Sequence, residues 1–254
     1  MGIRLLGQVG FDHNGRFLPA GPAKQSGVLT ALAMSPGQPV AMALLVDRIW
    51  DDDPPSAARG SLYAYVARLR KLLKSRSDMA LRHSNAGYVL AADRSLVDVY
   101  RMRGLAADGQ RAAGAGDDED AIRLWQASAA LWHGNVPLAG VPGAWAQRMR
   151  ETLERERLDT LVELYGAKLR TGRHTDVVAE LSALVADHPL SEALTAHLML
   201  ALHRCGRTGE ALSCFAMTRR RLRDALGCEP SRPLASLHQR MLCGDPQLLT
   251  PSSR

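Results

Sequence analysis

Apolar and polar residues alternate at the start of the chain: Ile3, Leu5, Val9 and Phe11 fall on one side of an extended backbone, and His13-Asn14-Gly15 follows. Asn-Gly favours a tight hairpin because both turn positions tolerate positive φ, so residues 16–18 are read as a return strand. The spacing then becomes helical. Val28, Leu29, Leu32 and Ala33 share a face that ends at Ser35-Pro36-Gly37. Leu44, Leu45, Ile49 and Trp50 share another that ends at Asp51-Asp52-Asp53-Pro54-Pro55. A longer helix is predicted after Ser56, a candidate N-cap, with Leu62, Val66, Leu69 and Leu73 as its buried stripe. Residues 79–92 alternate again as two strands about Ser84-Asn85-Ala86-Gly87. A short sheet, three helices and a terminal hairpin describe a winged helix-turn-helix. By analogy with other helix-turn-helix proteins, its third helix enters the major groove, which is wide enough to admit it, and the hairpin flanks it.

From about residue 97 the periodicity is helical throughout. Leu169-Arg170-Thr171-Gly172-Arg173 and His203-Arg204-Cys205-Gly206-Arg207 place two glycines 34 residues apart, the period of a tetratricopeptide (TPR) array. Val177, Leu181, Leu184 and Pro189 follow the first glycine at repeat-like offsets, and Ala211 and Phe215 follow the second. Gly116, Ala121 and Trp125 resemble an earlier copy, with an insertion around 134–155 interrupting the period. The expected fold is therefore mainly α with small β-sheets. A winged helix-turn-helix domain occupies residues 1–96, a TPR-like helical repeat domain residues 97–243, and a flexible tail residues 244–254. The first two are expected to fold separately.

Charge sharpens this picture. Of a formal net charge of +6, residues 1–96 carry 12 Lys/Arg against 7 Asp/Glu, whereas residues 97–254 carry 20 against 19. Residues 59–82 hold Arg59, Arg68, Arg70, Lys71, Lys74, Arg76 and Arg82 with one acid, Asp78. Such a cluster is an electrostatic footprint for phosphate. Arg59, Ser61, Tyr63, Arg70, Lys71 and Lys74 lie away from the buried stripe of the third helix, with Tyr65 and Arg68 at its border. Together with Arg82 and Ser84 of the hairpin they are the candidate DNA-contacting residues, because long donors reach base edges and phosphates.

Tyr65-Val66-Ala67-Arg68-Leu69-Arg70-Lys71-Leu72-Leu73 followed by Gly87-Tyr88 resembles the OmpR/PhoB type of winged helix. Lys24-Gln25 and Trp50-Asp51-Asp52-Asp53-Pro54-Pro55 resemble the Streptomyces antibiotic regulatory protein (SARP) family. So do Leu131-Trp132-His133-Gly134, Glu154-Arg155-Glu156-Arg157-Leu158, His188-Pro189-Leu190-Ser191-Glu192 and Leu226-Gly227-Cys228-Glu229-Pro230, the last two within its bacterial transcriptional activator domain. Gly60 and Ser84 depart from the pattern, standing where relatives often carry a polar residue and an arginine. The resemblance implies a pathway-specific activator of a secondary-metabolite (antibiotic) gene cluster. Such a protein binds direct repeats near the promoter −35 region and recruits RNA polymerase and its sigma factor, with a homodimer on DNA. It also implies a small member of the family, without an appended ATPase module or receiver domain.

Other chemistries find less support. No apolar run approaches the roughly 18 residues of a membrane span, and the N-terminus lacks a secretory pattern, so a cytoplasmic, nucleoid-associated protein without membrane partners is expected. Cys205, Cys214, Cys228 and Cys243 form no C-x-x-C pair and read as reduced, mostly buried thiols; no metal or cofactor is assigned. Phosphate-loop, nucleophile-elbow and H-E-x-x-H motifs are lacking, so no catalytic residue is assigned and no enzyme is expected. Asp117-Asp118-Glu119-Asp120 suits a helix N-terminus, and Arg219-Arg220-Arg221 with Arg223 suits a solvated helix face. Trp125, Trp132 and Trp145 are read as packing residues. The alternative to a DNA-binding activator is a TPR-type adaptor whose basic N-terminal domain binds an acidic protein.

Overall fold

The computed structural model describes residues 2–13, 16–74 and 78–250. The Asn14-Gly15 turn, Arg76 of the basic cluster and the last four residues of the expected tail lie outside them. The chain divides into two compact units, one of Met1–Ala107 with Ala127–Leu158, the other of Asp108–Gln126 with Asp159–Arg254.

The first unit opens with an antiparallel sheet of β1 (Gly2–Arg4), β2 (Gly10–His13) and β3 (Arg16–Pro19), in that order. Helices α1 (Ala23–Ala33), α2 (Met42–Trp50) and α3 (Ala58–Leu73) follow, and β5 (Met79–Ser84) and β6 (Gly87–Ala92) form the terminal hairpin. A short strand β4 (Pro39–Val40), not foreseen from the sequence, pairs with β6, giving the order β4-β6-β5. Two residues beginning with proline carry almost no periodicity, and the strand exists only because β6 offers an edge. Gly87 makes the pairing feasible: its φ is +132°, and a Cβ there would lie 2.1 Å from the Val40 carbonyl oxygen.

The α3 stripe is buried as expected, with Ala58 added at its start. Two local expectations fail. Helix α3 begins after Ala57 with no side-chain cap, because a Pro55–Ala58 turn (Ala58 N–H to the Pro55 carbonyl, 2.9 Å) leads into it and displaces Ser56 from the capping position. Leu44 is exposed, since α2 turns only Leu45 and Ile49 fully inward.

The core of this unit extends beyond the winged helix. Ile3, Leu5, Phe11, Leu32, Leu62 and Leu90 share one apolar cluster with Leu138, Val141, Ala146 and Leu153. The segment after β1 is extended by chain from far away: the N–H groups of His133, Leu138 and Ala139 donate to the carbonyls of Leu6, Leu5 and Gly7 at 2.7, 2.8 and 2.9 Å. Gly7, with φ +148°, allows this approach, because a Cβ would meet the His133 carbonyl oxygen at 2.6 Å. Compaction groups residues 127–158 with the winged helix, beyond the periodicity change near residue 97. Asp98, at the start of helix α4 (Asp98–Gly114), closes the same region. It is 6% exposed, and its carboxylate accepts the N–H groups of Leu5, Leu6 and Val99. Burial pushes its pKa up to about 6, although those amides and Arg4 pull the other way.

The second unit is helical. It holds the latter part of α4, most of α5 (Asp118–Ala129) and the end of α6 (Ala144–Arg170). It also holds α7 (His174–Asp187), α8 (Glu192–Arg204), α9 (Thr208–Leu226) and α10 (Arg232–Leu242). Gly116, Gly172 and Gly206 all have φ between +77° and +86° and join successive helices. Five and nine residues after each glycine stand Ala121 and Trp125, Val177 and Leu181, and Ala211 and Phe215, all buried. Equivalent positions in three helix hairpins therefore interlock neighbours, as in a helical repeat. Asp117 caps α5 by accepting the Asp120 N–H at 2.9 Å, and Asp118 and Glu119 pair with Arg170 and Arg173, so the acidic run is a helix start. Leu248 is buried in a short 3₁₀ turn, and Arg204 holds the carbonyls of Leu248 and Thr250, so the expected tail is packed as far as residue 250. Cys228 and Cys243 are exposed, unlike the expected buried thiols, because both sit just past helix C-termini.

Candidate nucleic-acid interface

Helix α3 turns Gly60, Ala64, Ala67 and Lys71 directly away from its buried stripe, at spacings of four, three and four residues. Gly60, Ala64 and Ala67 leave most of this strip bare, with Lys71 at its end: a Cβ built on Gly60 would meet nothing within 4 Å. Longer side chains flank it. On one side stand Arg59, Tyr63, Arg70 and Lys74; on the other stand Ser61, Tyr65 and Arg68. Of these, Arg59, Tyr63, Arg68, Arg70, Lys71 and Lys74 are exposed, whereas Ser61 and Tyr65 are half-buried. Arg82 is exposed on β5. None of these cations forms an ion pair with a carboxylate among the described residues. A narrow central strip between donors lets a helix settle deeply into a groove while the flanks reach outward.

The two flanks are held differently. Tyr65 stacks on Trp50 of α2, with ring centres 6.4 Å apart and planes at 24°. Lys24 lies 5.7 Å from the Trp50 ring and donates to the Ile49 carbonyl. On the far side, the Arg68 guanidinium lies 6.0 Å from the Tyr65 ring. Lys24 and Arg68 thus cap the two ends of the stacked Trp50–Tyr65 pair, and the ring contact orients the exposed Arg68. The other flank faces the hairpin. Arg59 and Tyr63 line a cleft of about 390 Å³ with Ala41 and Met42 at the start of α2 and His83, Ser84, Asn85, Ala86 and Gly87 at the hairpin turn. Ser84 Oγ donates to the Gly87 carbonyl at 3.2 Å, so this side chain shapes the turn. Burial pushes the Tyr88 phenol up, with Tyr63 adding to the shift and Arg70 opposing it, so the phenol stays neutral.

The structure therefore gathers Arg59, Tyr63 and Ser84 at one cleft and sets Ser61, Tyr65 and Arg68 on the opposite flank. Sequence reasoning missed the start of α2 and His83. The α2 residues Ala41 and Met42 carry no charge or polar side chain to mark them, although the helix they start has no side-chain cap. Among the described residues no group of His, Cys, Asp and Glu is arranged to hold a metal ion.

The domain described as "Transcriptional regulatory protein, C terminal" matches residues 20–90, and "Bacterial transcriptional activator domain" matches residues 97–242. The chain belongs to the SARP family of transcriptional regulators. Regulatory protein DnrI of Streptomyces peucetius is 35% identical over 97% of this chain and 93% of its own length. Regulatory protein AfsR of Streptomyces griseus is 38% identical over 98% of this chain, but only 25% of its own length is covered, so the chain spans about a quarter of that relative. A structure of Mycobacterium tuberculosis EmbR in complex with a low-affinity phosphopeptide superposes with a TM-score of 0.90 at 30% identity, covering 96% of this chain and 65% of that one. The expected combination of winged helix and helical repeat domain is thus a property of the family as well as of this chain. No helix among the described residues is long and apolar enough to cross a membrane.

Proposed function

We propose that this SARP-family chain is a sequence-specific, DNA-binding transcription activator that works by binding and carries out no catalysis. It lays α3 in the major groove of promoter direct repeats near the −35 region, with the β5–β6 wing alongside, and brings RNA polymerase and its sigma factor to the promoter. It acts in the cytoplasm at the nucleoid, pairs with a second copy on adjacent repeats, and controls a secondary-metabolite gene cluster. The observation that supports this reading best is the outward face of α3: cations without a carboxylate partner among the described residues border the small residues Gly60, Ala64 and Ala67, beside a wing. Arg59, Lys71, Lys74 and Arg82 neutralise phosphates, which sets register and affinity. Arg68, oriented by Tyr65 and bearing a free fork of donors, reads guanine.

A gel shift of the full chain on promoter DNA from its neighbouring genes, against random duplex of equal length, tests the proposal. A preference of about 10³-fold or more is expected for a specific binder. Equal binding to both duplexes would leave only the adaptor reading. Run-off transcription with purified polymerase then tests activation itself.

A further inference from the structure

A protein that grips a duplex with both a helix and a wing needs the angle between them fixed. In this chain α3 and the hairpin share apolar core through Leu69, Leu73, Leu81 and Leu90, and apolar contact has no direction of its own. Among the described residues one directional side-chain link joins them. Arg70 Nε donates to the Leu81 carbonyl at 3.0 Å, and its guanidinium carbon lies 5.8 Å from the centre of the Tyr88 ring. Leu81 lies on β5, the edge strand of its sheet, and pairs with Leu90 on β6; Tyr88, 3% exposed, lies on β6. One arginine therefore touches both strands of the wing. The contact continues toward the turn, because the His83 ring meets Tyr88 edge-on at 5.2 Å. Arg68, two residues earlier, has no hydrogen bond among the described residues and only its Tyr65 ring contact.

We infer that Arg70 is a positioning residue that locks the wing against α3, acting on DNA through the wing and not by a contact of its own. The reason is geometric. The Nε donor is given to Leu81 and the guanidinium lies against the Tyr88 ring, so the Nε–Nη edge is taken up by the wing. Only the Nη1–Nη2 end could reach a ligand, and the salt dependence of binding reads that out. The inference rests on the proposed DNA-binding reading.

The test uses the full chain and a duplex selected by the wild-type protein from a random pool; failure to select any duplex would end the DNA-binding reading itself, separately from this one. Three variants are compared: Arg70→Ala, Arg70→Lys and Arg70→Gln. The Gln amide nitrogen stands the same number of bonds from the backbone as Nε, so it can donate to Leu81 without charge, whereas Lys keeps charge but lacks that donor. If Arg70 positions the wing, Ala and Lys both weaken binding by about tenfold, the scale of one charge-assisted hydrogen bond. Gln restores most of the loss. Hydroxyl-radical footprints of Ala and Lys lose protection at the flank beside the wing and keep it in the centre. If Lys binds better than Gln, and Ala lowers the salt dependence by about one counterion, Arg70 is a phosphate ligand and the inference fails. It fails equally if the three variants bind alike, or if flank protection survives in Ala.

Discussion

Helix α3 carries Arg59, Arg68, Arg70, Lys71 and Lys74, and helix α9 carries Arg219, Arg220, Arg221 and Arg223, so by count the two look alike. Their surroundings differ. On α9, Glu229 accepts from both Arg219 and Arg223, and Asp224 lies 3.6 Å from Arg220. Glu229 is held below the usual carboxylate range by these two arginines, so it stays ionised and continues to neutralise them. Among the described residues no carboxylate pairs with the α3 cations, and three of the four outermost positions, Gly60, Ala64 and Ala67, are small. The comparison teaches that a basic run becomes a candidate nucleic-acid surface through the absence of local counter-charge, and that this is decided by which acids the fold brings near.

The largest expected effect concerns the extent of the unit that holds α3. A fragment of residues 1–96 lacks Leu138, Val141, Ala146 and Leu153 as well as Asp98. Each large aliphatic side chain of that kind contributes roughly 1.5–3 kcal/mol by burial, and a whole domain is stable by only roughly 5–15 kcal/mol. The fragment is therefore expected to melt without cooperativity, whereas residues 1–158 melt cooperatively; calorimetry on both decides. Cooperative melting of the shorter piece would return the boundary to residue 96.

Next in size is the direct contrast of the two helices. Replacing Arg59, Arg68, Lys71 and Lys74 by Ala is expected to weaken duplex binding by about 10³-fold at physiological salt and to make the log–log salt slope shallower by roughly 3–4. Replacing Arg219, Arg220 and Arg223 by Ala should change neither quantity. Fluorescence anisotropy titrations at several salt concentrations measure both. Equal losses from the two sets would mean that overall charge, and not local geometry, governs binding.

A buried acid sharpens the contrast with exposed Glu229. Asp98 has its pKa raised to about 6 from 3.8, so the native state holds a proton that the unfolded chain releases. Its contribution is fully present below about pH 4 and is lost as pH rises through about 6, by about 3 kcal/mol from the linkage of two pKa units. Asp98→Ala should remove that window from the pH dependence of denaturant unfolding and also lower stability, since three amides lose their acceptor. A wild-type curve that instead gains stability between pH 4 and 6 would show that the amides outweigh burial.

Arg68→Ala should leave the melting temperature nearly unchanged and weaken binding to the selected duplex by about 1–3 kcal/mol, with discrimination lost at one base pair. Uniform weakening on every sequence would instead make it a phosphate contact. The smallest effect is expected from Glu229→Gln, which releases Arg219 and Arg223. Non-specific duplex affinity should rise by no more than about twofold, since exposed pairs couple weakly. A larger rise would make α9 a second nucleic-acid surface masked by one carboxylate.

Much of this was legible in the one-dimensional pattern. The Leu62–Val66–Leu69–Leu73 stripe, the β5–β6 alternation and the glycines at 172 and 206 all report local backbone preference and periodicity, which a sequence carries directly. The basic cluster was legible for the same reason, since charges are written in the residues themselves. What tertiary structure alone decided is which groups meet. Arg68 and Arg70 are the same residue type two positions apart on one helix, yet one rests on Tyr65 and the other reaches across to Leu81, because Trp50 and β5 arrive on opposite flanks. The segment around 134–155, an interruption of the repeat when read along the chain, supplies core to the winged-helix unit, because buried amides and carbonyls near Leu5 to Gly7 need partners and the chain returns to provide them. Periodicity sees only neighbours a few residues away, so contacts made across some 90 or 130 residues, such as those from Asp98 and His133, had to wait for the fold.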